Sequence, residues 1–212
     1  MKQQEIQIRL PLKKNSHSQS RRNSILTDDR MDRLIALILL ILLSPIILIG
    51  FMFVIFEDGF PLIFKQKRVG YHNEDFYIYK IRTMKNNTPQ LSTNELENPE
   101  SYRLKCGRFL RKYSIDELPN FWNIVKGDMN FIGPRPLMRR EERLHALRMR
   151  YNILDHKPGI TGLAQVNGRD IISIPRKVVL ERYYVRNKSF RLKMHILYRT
   201  IVIVLRAAGV KF

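Results

Sequence analysis

Residues 34–56 contain no charged side chain: 23 consecutive residues, almost all aliphatic or aromatic, interrupted only by Ser44, Pro45 and Gly50. Nothing else in the chain restricts its fold as strongly, because such a run must be covered by a large core or by lipid. A straight helix needs about 20 residues to cross a bilayer, so the length suffices. A cleavable secretory leader fits poorly, since the run is long, starts late and lacks a small-residue cleavage site. The flanks bear on topology. Residues 1–33 hold eight Lys or Arg against four acids, the chain after residue 56 holds 30 against 15, and Lys65, Lys67 and Arg68 follow the run closely. Both flanks read as cytoplasmic under the positive-inside tendency, yet a simple span leaves one of them outside. A helix broken at Ser44-Pro45 that enters and leaves by one face resolves the conflict. Pro45 lacks a backbone donor and kinks a helix, and the Ser44 hydroxyl can take up a freed carbonyl. An ordinary kinked transmembrane helix is the alternative.

At 212 residues the chain is one domain's worth, enough to bury a core. Its net charge of +19 attracts nucleic acid, anionic headgroups or phosphorylated small molecules, and alone does not choose among them. Cys106 is the single cysteine, which excludes a disulfide within the chain and suits a reducing cytoplasm. The five histidines show no zinc-ligand spacing, which disfavours an imidazole-based metalloenzyme.

The pattern divides the chain into a disordered basic lead (1–27), a re-entrant membrane helix (28–58) and a cytoplasmic catalytic domain with interfacial helices (59–212). The expected fold class is mixed α/β and helix-rich, a monotopic membrane protein with a short β-hairpin and amphipathic interfacial helices. Thr27-Asp28-Asp29 offers a cap and early acids for the first helix. Two short strands around 62–69 and 76–82 flank a turn at Gly70 to Asn73. A surface loop at 85–100, a short helix at 101–112 and a charged helix at 137–151 follow, with turn-rich segments at 157–162 and 166–169. From about residue 175 the chain is helical again. Its last portion sets Leu192, Ile196, Ile201, Val202 and Leu205 beside Arg191, Lys193, Arg199 and Arg206. That suits a headgroup layer or the protein's own core equally.

The chemistry concentrates at Ser114-Ile115-Asp116-Glu117-Leu118-Pro119-Asn120. Ser114 with Glu117 makes a capping-box pattern, or Asp116 is the cap; either register leaves Asp116 and Glu117 at a helix N-terminus. There the macrodipole favours the carboxylate anions by about 0.3–1 kcal/mol. An ionised Asp is a competent covalent nucleophile toward phosphorus, and a neighbouring carboxylate can hold Mg²⁺. The same helix N-terminus, with Arg111 just before it and Arg135 after it, is a natural phosphate site. Taken alone, an acidic pair in a first turn usually just caps its helix, and Gly133-Pro134-Arg135-Pro136 is a rigid turn.

Taken together the motifs are specific. Residues 31–212 closely resemble the bacterial sugar transferase family, the small monotopic polyprenyl-phosphate phosphoglycosyl transferases. The resemblance rests on the apolar segment with Ser44-Pro45, Phe64 to Gly70, Tyr79 to Met84, Arg111 to Pro119 and Gly127-Asp128-Met129. It continues through Gly133 to Pro136, Lys157 to Gly162, Ala164 to Arg169, and Tyr183-Tyr184-Val185. It implies transfer of a sugar 1-phosphate from a UDP-sugar to undecaprenyl phosphate with release of UMP. That would be the first membrane step of exopolysaccharide, capsule or other glycan synthesis, on the cytoplasmic face of the bacterial inner membrane. Carried over, Asp116 is the nucleophile and Glu117 a Mg²⁺ ligand. Arg111 and Arg135 hold phosphates, with Lys80, Gln165 and Arg169 as further candidates. Membrane lipids and downstream glycosyltransferases are the implied partners, and nucleic acid is not one. The family's membrane segment is re-entrant and broken at Ser-Pro, which favours that topology here.

The chain departs from the family pattern at three positions. Glu181 stands where Asp is frequent, Lys193 where another Asp is common, and Leu163 where Trp is frequent. The sequence ends at Phe212 without the extension of members acting on diacetamido-trideoxy sugars, which leaves galactose, glucose or an N-acetylhexosamine favoured. Two other readings compete: a membrane-tethered nucleic-acid-binding module, motivated by charge alone and lacking any recognised motif, and an inert scaffold of a glycan assembly complex, against which the intact dyad speaks.

Overall fold

Pro45 divides the apolar run. In the computed structural model, which describes residues 18–89, 98–168 and 171–206 with side chains from residue 29 onward, helix α1 (Ser18–Leu42) and helix α2 (Ser44–Asp58) meet at a bend of 56°. A proline at 45 cannot donate to the Ile41 carbonyl four residues back; the Ser44 hydroxyl donates to that carbonyl instead, at 2.7 Å. No single described helix is long and apolar enough to cross a membrane, whereas the bent pair passes by length and composition. Its outer surface leaves Leu34, Ile38, Ile41, Leu42, Leu48, Phe53 and Phe56 exposed, and its inner surface buries Ala36, Ile47 and Val54.

The exit from α2 is locked. Arg82, almost fully buried, donates to the carbonyls of Asp58 (3.1 Å), Gly59 (2.6 Å), Pro61 (2.6 Å) and Met84 (3.1 Å) and pairs with the Asp58 carboxylate. The Glu57 carboxylate crosses to helix α3 (Lys105–Lys112) and accepts from the backbone N–H of Lys105 (2.5 Å) and Cys106 (2.9 Å). Ile47, Val54, Ile81, Leu104 and Leu110 fill the core between these elements. Full burial of each large aliphatic stabilises by about 1.5–3 kcal/mol.

Strands β1 (Ile63–Val69) and β2 (Asp75–Ile81) pair antiparallel across a 3₁₀ turn at Tyr71–Asn73, as the hairpin reading expects. The register sets Phe64 opposite Lys80, Gln66 opposite Ile78 and Arg68 opposite Phe76, so these six side chains share one face. A second sheet, β3 (Asn130–Ile132) with β4 (Gly159–Thr161), is parallel. It occupies what reads in the sequence as a turn at 157–162. Gly159 allows that pairing, since a Cβ there would lie 2.0 Å from the Gly133 nitrogen. The remaining helices are α4 (Phe121–Lys126), α5 (Glu142–Arg150), α6 (Leu163–Val166), α7 (Ile174–Arg186) and α8 (Phe190–Leu205). Among the described residues the result is helix-rich α/β with two small sheets.

Several boundaries move from their expected places. Helix α1 starts at Ser18 rather than at Thr27-Asp28-Asp29, so helix replaces the end of the expected disordered lead; residues 1–17 lie outside the described residues. The short helix opens at Lys105 rather than 101, where the Glu57 carboxylate caps it. The charged helix opens at Glu142 rather than 137, because Leu137 bridges to Val69 of β1. The acidic pair lies in a 3₁₀ turn, Ile115–Asn120, that runs into α4, not in an α-helical first turn. Ser114 makes no side-chain cap; its φ of 56° is left-handed, and Pro119 inside the turn has no N–H to extend an α-helical ladder. Helix α4 ends at Gly127, which takes left-handed geometry with a φ of 91°. Helix α8 divides its apolar residues. Leu192 and Ile196 pack on the protein, while Phe190, Met194, Tyr198, Ile201 and Leu205 form an exposed stripe.

Candidate active site

The hairpin supplies one wall of a narrow cleft, and the 3₁₀ turn supplies another. The turn is sewn to β2 through the backbone N–H of Tyr79, which donates to Asn120 Oδ1 at 3.1 Å. Helix α4 is sewn to the same strand by Asn123 Nδ2 donating to the Tyr77 carbonyl at 2.6 Å. With both attachments made, Lys80 of β2 reaches Glu117: its Nζ lies 2.7 Å from Oε1. Arg135 approaches the same oxygen, its Nη2 at 3.4 Å. Lys80 and Glu117 are mostly buried, and Arg135 is part-exposed. Asp116, adjacent on the turn, is 6% exposed.

Arg68 lines the cleft with Lys80, Glu117, Asn120 and Arg135, between apolar walls that include Ile78, Met129 and Ile160. The motifs alone do not single it out as a candidate. Strand alternation is the signal that finds it, because Arg68 has the parity of Phe64 and Gln66 and so shares a face with Lys80. Its Nη2 donates to Gln66 Oε1 (2.5 Å) and its Nη1 to the Pro136 carbonyl (3.3 Å), while its Nε is buried with no hydrogen-bond partner. Burial, reinforced by the nearby Arg135 charge, pushes the Arg68 guanidinium down to about 10. Three cations therefore meet one carboxylate around this cleft. The imbalance favours a multiply charged anion, and guanidinium forks match phosphate oxygens well.

The other expected residues are placed as follows. Arg111, at the end of α3, donates from Nε to Thr83 Oγ1 at 2.8 Å. Gln165, on α6, is not among the residues lining the cleft; both of its side-chain amide atoms are buried without hydrogen-bond partners, against Gly162. Arg169 lies outside the described residues. Ser44 and Pro45 form the helix break described above. Lys193 and Asp29, with Asp32, line a separate small cleft, in which Asp29 accepts from Lys157 Nζ at 2.6 Å. Among the described residues no group of three His, Cys, Asp or Glu stands together to hold a metal by itself. Any metal here would have the Asp116-Glu117 pair for protein carboxylates and substrate oxygens for the rest, which is how Mg²⁺ is commonly held beside phosphates.

Comparison with known proteins identifies the scaffold. The family model described as bacterial sugar transferase matches residues 24–207. The chain is 42% identical over 179 residues to the uncharacterized sugar transferase EpsL of Bacillus subtilis, covering 83% of this chain and 86% of that protein. It is 33% identical over 205 residues to the undecaprenyl-phosphate galactose phosphotransferase of Salmonella typhimurium, covering 90% of this chain and 43% of that protein. It is 36% identical over 186 residues to the UDP-N-acetylgalactosamine-undecaprenyl-phosphate N-acetylgalactosaminephosphotransferase of Aeromonas hydrophila, covering 85% of this chain and 44% of that protein. The chain thus spans under half the length of the two relatives whose names state a substrate. With the motif order, the cationic cleft around Glu117 and a family match along most of its length, the chain belongs to the bacterial sugar transferases and is a transferase.

Proposed function

We propose that the protein transfers a sugar 1-phosphate from a UDP-sugar to undecaprenyl phosphate and releases UMP. The observation that carries this reading is Glu117 set against Lys80, Arg135 and Arg68 in one cleft, with Asp116 beside it on the same turn. The relatives named for undecaprenyl-phosphate phosphotransfer support it.

The donor's diphosphate enters the cationic cleft, where Arg68, Arg135 and Lys80 neutralise its charge. A carboxylate oxygen of Asp116 attacks the β-phosphorus. A bond forms between that oxygen and phosphorus, the bond from phosphorus to the bridging oxygen breaks, and UMP leaves with the electron pair. The phosphate oxygen of undecaprenyl phosphate then attacks the same phosphorus. This step releases the carboxylate and yields a polyprenyl diphosphate sugar. Positioning and charge neutralisation are most of what phosphoryl transfer asks of a protein. Glu117 would hold Mg²⁺ together with donor phosphate oxygens, and the ion when bound supplies further neutralisation of phosphate charge.

The same reading places the bent pair α1–α2 in the cytoplasmic leaflet of the bacterial inner membrane as a re-entrant segment, entering and leaving on the cytoplasmic side. Its exposed apolar surface and the 56° bend at Ser44-Pro45 support this. Basic residues on both flanks match anionic headgroups. The two-step chemistry is tested by incubating purified protein with a UDP-sugar and Mg²⁺ without lipid acceptor, followed by intact-protein mass spectrometry. A sugar-phosphate adduct that maps to Asp116 and is missing from Asp116→Asn is expected. Turnover without any adduct on rapid quenching, in a variant lacking Asp116, would overturn the covalent route.

A further inference from the structure

Pro134 and Pro136 have no backbone N–H, so the segment that carries Arg135 is held mainly through its carbonyls. Four consecutive ones are each taken by a different donor. Gly159 N–H donates to Pro134 (2.9 Å), Arg148 Nη1 to Arg135 (2.8 Å), Arg68 Nη1 to Pro136 (3.3 Å) and Val69 N–H to Leu137 (2.9 Å). The Arg148 donor is unusual. Its side chain is 2% exposed, and its other nitrogens make a fork with Glu181, Nε to Oε2 at 2.8 Å and Nη2 to Oε1 at 2.5 Å. Glu181 is equally buried.

A buried ion pair is weak evidence for stability, because apolar side chains of similar volume often replace one without loss. An apolar side chain cannot donate to the Arg135 carbonyl. We infer that Arg148 of α5 and Glu181 of α7 are positioning residues for Arg135. Glu181 fixes the guanidinium plane of Arg148, and Arg148 fixes the backbone at Arg135. The Arg135 side chain then faces Glu117 from a rigid base. The inference rests on the proposed reaction, in which Arg135 holds donor phosphate.

The test uses the full chain in detergent and the paired substitution Arg148→Met with Glu181→Leu, which removes both charges together. Glu181→Gln and Glu181→Asp are measured beside it. Melting temperature, amide exchange across residues 133–138, and kcat and KM for a UDP-sugar are read on each. The paired variant is expected to melt within a few degrees of wild type and to exchange faster across 133–138. It should lose about a hundredfold in kcat, the scale of a small misplacement of a binding group, and Glu181→Asp should recover much of that loss. In an Arg135→Gln background the paired substitution should have little further effect, as for groups acting through one another. A paired variant that exchanges and turns over like wild type overturns the proposal, as does a loss that simply adds to that of Arg135→Gln. Should the paired variant fail to fold, the nearly isosteric Glu181→Gln carries the same readouts. If wild type itself releases no UMP, the proposed reaction falls, and the exchange measurement still decides the positioning role.

Discussion

Arg68 shows how much one side chain can contribute at this site. Its unpartnered Nε and its place on the face of Lys80 support a role, in the proposed reaction, as a donor to substrate phosphate. Arg68→Gln is expected to raise KM for the UDP-sugar by roughly 10- to 100-fold, the equivalent of a charge-assisted hydrogen bond of about 1.5–3 kcal/mol. Arg68→Lys should recover part of the charge and little of the fork geometry. Steady-state kinetics on the three proteins would check this, and an unchanged KM in Arg68→Gln would remove Arg68 from the site. Cys106 behaves in the opposite way. Burial, with help from its hydrogen bond to Glu57, pushes the thiol up to about 12. Because the thiolate is the reactive form, folded protein at pH 8 should resist iodoacetamide until denaturant is added. Activity should be unaffected during that resistance, as a purely structural thiol requires.

At the scale of elements, the joints between them are tested most directly by Arg82 and His156. Arg82 holds the end of α2 to the hairpin through four carbonyls and Asp58. Arg82→Met leaves those acceptors and a carboxylate without their donor, so a loss of about 3–5 kcal/mol is expected, visible as a melting temperature lower by roughly 10 °C. His156 is depressed to about 4 by burial and by Lys188, whose Nζ lies 3.3 Å from Nδ1. The folded state therefore keeps it neutral where the unfolded chain, near 6.5, takes a proton. Its stabilisation is complete above about pH 6.5, declines as pH falls from there, and is spent near pH 4. Denaturant midpoints across that window should fall in wild type and fall less in His156→Gln. Asp75 acts in a different window. The hydrogen bond from Arg139 holds its carboxyl below the ordinary value of 3.8, so its contribution is lost only in stronger acid.

The elements also show what was legible in the sequence. The helix break and the hairpin follow from local signals, a proline and an alternation; Lys80, Arg135 and Glu117 stand as candidates through the family resemblance, and their contacts come from the fold. Three features do not, and each depends on a partner distant in sequence. The 3₁₀ turn under the dyad is fixed by β2 through Asn120, 41 residues away from Tyr79. The start of α3 is fixed by Glu57, 48 residues before Lys105. The parallel β3–β4 pair needs two glycine-bearing segments pressed together, which in isolation look like turns. Glu181 reads as a departure in a linear motif and is a buried partner of Arg148 in three dimensions.

For the whole molecule, a broken apolar helix pair, a strongly positive surface and a cationic cleft around Glu117, with Asp116 next to it on the same turn, make a single arrangement. The apolar pair would anchor the protein on one leaflet, and the cleft would meet a soluble donor and a lipid-borne acceptor at the same height. Reporter tags at the two ends should both be accessible from the cytoplasmic side, and Pro45→Ala, which restores the helical donor, should shift the C-terminal tag outward in a measurable fraction. One tag accessible from each side of the membrane in the wild-type protein would contradict the re-entrant arrangement. The central claim is tested most directly by nucleotide release from a panel of UDP-sugars with Mg²⁺, with and without undecaprenyl phosphate. UMP that appears in quantity only with the lipid and a particular sugar is the predicted result; UDP in its place would mean direct glycosyl transfer and would contradict the assignment of Asp116 as nucleophile.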